Sequence, residues 1–326
     1  MQMRRLGKDG PLVSAIGLGC MRMSMPPSAL AEDEGIATIE AALDAGINFL
    51  ITGDFYGMGH NEMLVGRAIR HRRDEAVISV KFGAMKAPSG AILGVDCRPA
   101  AVKNFAAYSL QRLGIEVIDL YQPGRADPTV PIEDTVGAIA DLIQEGKVRY
   151  LGLSEVNAEQ LQRAHAIHPV AALEIEYSLA TRFIEAKILP TARALGIGVV
   201  AYSVVTQGLL TGAIGAGLAP DDPRRRMPRF HDENLPRNLA TVAALRDMAA
   251  ARGCTPAQLA IAWVLSRGED IVPLVGMSRR TRLPENLAAM DIAPDTREFA
   301  ELDRIFAPGA IRGERQPAQV RPLSAD

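Results

Sequence analysis

PIEDTVGAIADLIQEGKVRYLGLSEVNAEQLQRAHAIHPVAALEI, residues 131–175, carries the alternation that decides the fold. Pro131-Ile-Glu-Asp134 gives the start signal and acidic first turn of a helix, and residues 135–144 follow with helical apolar spacing. Residues 148–153 form an apolar, β-rich run. Asn157-Ala-Glu-Gln160 then starts a second helical segment over 161–166, and residues 170–175 form another apolar run. These runs are too continuously apolar to have a wet face. Burial on both sides, with helices between, argues for parallel strands.

Six further runs, at 13–18, 47–51, 76–82, 117–121, 197–202 and 271–275, bring the strands to eight. Eight strand-and-helix units predict an α/β protein closed into a (β/α)8 TIM barrel, with residues 1–326 as a single domain. Residues 4–13, with Gly7 and the turn signal Asp9-Gly10-Pro11, read as a hairpin plugging the bottom of the barrel. Three segments are too long for simple connections: 83–98, 204–237 and the tail from Pro308. Loops of that length in a compact domain serve as lids or binding loops, and here they fall at the C-terminal face.

Composition narrows the partners. A formal charge of −2 and 23% charged residues leave no basic field for nucleic acid or an anionic membrane surface. No stretch is long and apolar enough for a transmembrane helix, and the N-terminus lacks the apolar core of a signal peptide. Cys20, Cys97 and Cys254 are odd in number and widely spaced, which predicts free thiols, no metal site and a cytoplasmic setting. A small molecule is the expected ligand, and the oligomeric state is not legible.

Functional groups of a parallel barrel gather where its strands end. Tyr56, Lys81, Ser154, Glu174 and Tyr202 all stand there. A tyrosine beside a lysine is a sensible acid for a carbonyl oxygen. The ammonium lowers the phenol pKa, and partial desolvation lowers that of the lysine.

Several stretches in order resemble the aldo-keto reductase family. They include Gly53-Asp-Phe-Tyr-Gly-Met-Gly-His-Asn-Glu62, Val80-Lys-Phe-Gly83, Gly146-Lys-Val-Arg-Tyr-Leu-Gly-Leu-Ser-Glu155 and Glu176-Tyr-Ser-Leu179. Ala201-Tyr-Ser203, Gly208-Leu-Leu-Thr-Gly212, Arg229-Phe230 with Glu233-Asn234, and Leu283-Pro-Glu-Asn286 continue the match, which spans residues 3–305. The resemblance implies reduction of aldehydes or activated ketones by NADPH bound across the barrel mouth, with Tyr56 as acid and Lys81 as its electrostatic modulator. Ser154, Glu155 and Glu174 would hold the carboxamide, the last two at places where the family more often has Asn and Gln. Tyr202 would stack on the nicotinamide, and Ser203, Val205, Gly208 and Leu210 would line the pyrophosphate.

The run Gly276-Met-Ser-Arg-Arg-Thr-Arg282 is basic and enters a helix, which suits a 2′-phosphate. Gly276, Ser278, Arg279 and Arg282 are the candidates there, with Glu285 and Asn286 toward adenine. Met21, Arg22, Phe55, Gly124 and Arg125 are the candidate substrate contacts, and mostly apolar walls predict a hydrophobic carbonyl.

Two positions depart from the family's pattern. Where it has an aspartate five residues before the tyrosine, this chain has Ile51, so the resemblance implies a Lys81 without its carboxylate partner. Asp54 lies beyond the strand end and is a poor substitute. Where the family has a histidine after the fourth strand, Gly124 stands in Asp119-Leu-Tyr-Gln-Pro-Gly-Arg-Ala-Asp-Pro128. The glycine opens space for a water or for Arg125, itself an equal candidate to pair with Asp127. With two groups missing, an NADPH-binding sensor or interaction protein with little turnover stands as the alternative.

Overall fold

The computed structural model describes residues 1–326 except 26–30, 216, 278, 294, 319 and 326. The chain starts with an antiparallel hairpin, β1 (Met3–Arg5) and β2 (Leu12–Ser14). Gly7, at φ +68°, lets the turn lie flat, and a Cβ there would collide with Gly196 O at 2.6 Å. Leu6 enters the floor of the barrel beside Phe49, Ile51, Leu120, Val200 and Val272.

The barrel strands are β3 (Gly17–Gly19), β4 (Phe49–Gly53), β5 (Val77–Phe82), β8 (Ile118–Pro123), β9 (Val148–Ser154), β10 (Val170–Glu176), β11 (Gly198–Tyr202) and β12 (Ile271–Gly276). All neighbours pair parallel, and β12 closes back onto β3. The fold is a (β/α)8 TIM barrel. The first run divides differently from the expectation: Val13 pairs in the hairpin, and the barrel strand begins at Gly17. The predicted loop 83–98 holds a second hairpin, β6 (Ala84–Lys86) with β7 (Ile92–Val95). Its three- and four-residue strands are too short to show a clear alternation in sequence.

Helices α1 (Glu32–Asp44), α2 (His60–Ala68), α3 (Pro99–Leu113), α4 (Ile132–Gln144), α5 (Ala158–Ile167), α6 (Ile188–Leu195), α7 (Leu235–Ala251) and α8 (Pro256–Leu265) lie between the strands and α9 (Leu283–Leu287) and α10 (Thr296–Ile305) after the last. The start read at Asn157 is a capping box: Asn157 accepts from Gln160 N while the Gln160 side chain accepts from Asn157 N. Helix and outer strand faces share one core, in which Ile39, Val65, Tyr121, Val136, Leu161 and Trp263 are buried. Each such side chain stabilises by roughly 1.5–3 kcal/mol relative to exposure. The inside of the barrel is a separate apolar stack. Side chains rise from this filled interior only at its upper end, where the strands stop.

Candidate active site

At the end of β4 the chain turns through Gly57, Met58 and Gly59, all at positive φ, and Tyr56 N donates to Gly53 O at 3.1 Å. This turn brings Tyr56 into the barrel mouth. Lys81 comes from the next strand, where its residue pairs with Gly53. The two lie 6 and 7% exposed, so bulk water is largely excluded from the pair. Lys81 Nζ stands 5.3 Å from the centroid of the Tyr56 ring.

Lys81 also has a carboxylate partner, contrary to the expectation drawn from Ile51. Glu174, from β10, accepts a hydrogen bond from Lys81 Nζ through Oε1 and forms a buried ion pair with it. Its Oε2 accepts from Gln122 Nε2 at 2.7 Å, and Gln122 Nε2 also donates to Ser79 Oγ at 3.0 Å. Ile51 joins the apolar stack and borders the cavity. Asp54 is directed elsewhere, accepting from Gly83 N at 3.2 Å.

The charges therefore differ from the simple tyrosine–lysine picture. Burial alone pulls the Lys81 ammonium down, but Glu174 and Tyr56 outweigh it and hold it above its ordinary value. Burial pushes the Tyr56 phenol up; Lys81 pulls it back and Glu174 adds to the rise, leaving it above the ordinary range. Both groups keep their protons at neutral pH.

Gly124 does not leave an open gap. A Cβ at that position would meet Phe55 Cε1 at 3.0 Å, and the Phe55 ring in turn packs edge-on against Tyr56 with centroids 4.8 Å apart. Arg125 borders the same cavity and donates through Nη1 to Gly124 O at 2.7 Å. Asp127 is not its partner: that carboxylate accepts from Cys97 N, Thr129 N and Thr129 Oγ1.

The cavity over these groups measures about 660 Å³. Of the residues singled out in the sequence, Met21, Arg22, Phe55, Tyr56, Lys81, Arg125, Ser154, Glu174, Tyr202, Ser203, Val205, Gly208 and Gly276 line it. Others lie elsewhere. Leu210 is fully buried in the core beneath the loop. Arg279 and Arg282 are exposed, with Arg282 paired to Glu285, and Asn286 is buried in α9. Ser278 lies outside the described residues.

Glu155 is engaged away from the cavity wall. Arg315 donates to both its oxygens, at 3.1 and 2.7 Å, and Tyr202 Oη donates to Oε1 at 2.7 Å. Burial pushes this carboxyl up, but Arg315 outweighs it, with Arg125 and Tyr202 assisting, and holds it below the ordinary range. The tail thus folds over the mouth, and its Gln316 joins the lining.

Sequence reasoning missed Gln316, Gln207 and the Asp222-Pro-Arg224 corner of the long seventh loop. The signal for the last was the run Asp222-Pro-Arg-Arg-Arg226, a charged turn that follows the uncharged stretch 204–220. His60 braces Ser24 and Glu32, and His231 lies near Glu233; neither lines the cavity. The cysteines are free. Among the described residues no cluster of His, Cys, Asp or Glu could hold a metal, and no helix is long and apolar enough to cross a membrane.

An eight-stranded barrel with a buried tyrosine and lysine at its mouth defines a class, and the comparisons place the chain in it. The chain belongs to the aldo/keto reductase family, whose model matches residues 15–307. It is therefore an oxidoreductase of a family that reduces small carbonyl compounds with a nicotinamide cofactor. Among solved structures it is similar to the glycerol dehydrogenase AKR11B4 from Gluconobacter oxydans, at 30% identity and a TM-score of 0.85 over 97% of each chain. It is also similar to the thermostable aldo-keto reductase Tm1743 in complex with the inhibitor epalrestat, at 25% identity and a TM-score of 0.76. That match covers 94% of this chain and all of the other.

Proposed function

We propose that the protein is an NADPH-dependent reductase of aldehydes and activated ketones, with Tyr56 as general acid and Lys81 as the cation that assists it. The observation that carries this reading is the meeting of Tyr56 and Lys81, both shielded from water, on one cavity wall. A reduced nicotinamide, when bound, supplies the hydride that the carbonyl carbon accepts. Tyr56 donates its proton to the carbonyl oxygen as negative charge builds there. The Lys81 ammonium stabilises the phenolate that remains, and low dielectric strengthens that help. Arg125, on the same wall, adds positive charge beside the oxygen in place of a histidine. Phe55, Met21, Ile51 and Leu274 give the wall an apolar side suited to a hydrophobic carbonyl.

A dinucleotide fits the residues present. The cavity volume is within the usual range for ligand sites. Gly208, at φ +90°, leaves the backbone bare beside Arg224 Nη1, and a Cβ on Gly276 would meet nothing within 4 Å. Ser154, Glu174 and Tyr202 would hold the nicotinamide end, and Ser203, Val205, Gly208 and Arg224 the pyrophosphate. Arg279, Arg282, Glu285 and Asn286 would serve the adenosine end; the basic turn favours NADPH over NADH. Glu155 and Leu210 have no part in this set.

The test is NADPH oxidation with aromatic aldehydes, pyridoxal and activated ketones, for the wild type and Tyr56→Phe. Turnover lost in the variant, with NADPH affinity kept, is the expected result. NADPH binding without turnover in the wild type would instead favour the sensor or interaction protein, and no NADPH binding would overturn both.

A further inference from the structure

The chain lacks a carboxylate at Ile51 and gains one at Glu174, and the geometry joins these two departures. Building on the proposed reductase, we infer that the counter-ion of the acid site has moved from β4 to β10, so that Glu174 is the positioning residue that holds Lys81 against Tyr56, and Ile51 is the apolar half of the exchange.

Three observations carry this. First, Glu174 reaches Lys81 across the barrel mouth. In the closed strand order β10 is separated from β5 by β8 and β9, so no backbone pairing imposes the contact. Second, Gln122 of the intervening β8 bridges Ser79 and the other Glu174 oxygen, which fixes the carboxylate in one orientation. Third, Ile51 is fully buried among Phe49, Leu120, Val200 and Leu274, and its Cδ1 would lie 3.2 Å from a Cβ on Gly17. An aspartate there in the presence of Glu174 would set two carboxylates on one ammonium, and one of them would be buried without a cation.

The exchange has a chemical consequence. The groups that act on Lys81 are Glu174 on β10 and Tyr56 after β4; the buried Cys20 thiol after β3 feels its charge, and Arg125 after β8 acts on Tyr56. Among them Glu174 is the sole anion while Tyr56 and Cys20 hold their protons. Removing it makes the cluster one charge more positive, so its first proton leaves at lower pH. The alkaline limb of kcat then moves down.

Four proteins test this: wild type, Glu174→Gln, Ile51→Asp, and the double variant. Each is unfolded in denaturant and assayed across pH with NADPH and an aromatic aldehyde. Each single variant is expected to unfold more easily than the wild type. The double variant recovers much of the loss, because the carboxylate introduced on β4 now meets the Lys81 ammonium. In turnover, Glu174→Gln is expected to lower kcat by at least about tenfold, consistent with a disturbed general acid, and to move the alkaline limb down. The double variant restores both.

Additive losses of stability would overturn the exchange. So would a Glu174→Gln enzyme with wild-type kcat and pH profile but a raised KM for NADPH, which would make Glu174 a cofactor contact alone. If the wild type turns over no carbonyl, the reductase reading fails while the stability cycle still decides the exchange. If Glu174→Gln does not fold, the comparison of Ile51→Asp with the double variant decides it: the double variant must be the more stable of the two.

Discussion

The Phe55 ring occupies the space beside Gly124, with Cε1 and Cζ only 3.0 and 3.2 Å from where a Cβ on that glycine would stand. The site is thus built around an aromatic ring where the family's histidine would project, and a side chain at 124 would have to displace that ring. Gly124→His is expected to destabilise by about 1–3 kcal/mol through overpacking, and Gly124→His with Phe55→Ala by less. Denaturant midpoints of the two variants and of Phe55→Ala check this; additive losses would contradict the contact.

Asp54 offers a pH signature of its own. Burial pushes its carboxyl up to about 7, against a bond from Gly83 N, with Glu62 adding to the rise. The folded state therefore holds a proton that the unfolded chain has already lost above the ordinary carboxylate range. Stability falls as pH climbs from about 4 to 7 and is level beyond. Asp54→Asn keeps the acceptor for Gly83 without the charge. It is expected to raise Tm at pH 8 and leave it nearly unchanged at pH 4, with a gain in unfolding free energy of roughly 2–4 kcal/mol at the higher pH. Equal shifts at both would show that Asp54 is ionised in the fold throughout.

Arg315 ties the tail to the barrel. Its side chain is buried against Glu155 and, at 3.6 Å, Glu176, and lies over the Phe183 ring at 4.5 Å. Arg315→Leu leaves Glu155 buried without its main cation, and a loss of about 3–5 kcal/mol is expected. Arg315→Leu with Glu155→Gln should lose less. The single variant should also be cleaved by trypsin within 308–325 sooner than the wild type, and unchanged cleavage would mean that the tail is held by other contacts.

The thiols give a chemical check on the core. Cys20 is completely buried, and that burial pushes its thiol up to about 12; Cys97 is likewise pushed to about 12. Cys254 is the partly exposed one. Alkylation of the native protein at pH 8 should label Cys254 first and leave the other two until unfolding. Rapid labelling of Cys20 would show that the barrel mouth opens to reagent.

The comparison of sequence and structure is most instructive at Lys81. Its strand, its place at the strand end and its neighbour Tyr56 were legible, because a buried parallel strand writes an apolar run and a barrel puts functional groups where that run stops. Its partner was not. Glu174 was singled out for its position, yet 93 residues separate it from Lys81, and no periodicity joins two strands that do not pair. The available signal was the coincidence of a lost carboxylate at 51 with a gained one at 174.

The same division holds elsewhere. Alternating apolar runs and helix starts determined the eight strands, the parallel barrel and the hairpin beneath it, since these depend on local spacing and on burial of whole faces. Tertiary structure alone decided that Glu174 pairs with Lys81, that Phe55 fills the place beside Gly124, and that Arg315 from the tail takes Glu155 out of the cavity. Those choices rest on side-chain reach and direction across a closed mouth. There, one extra methylene in a glutamate or one absent Cβ selects the neighbour, and the order of residues along the chain does not record it.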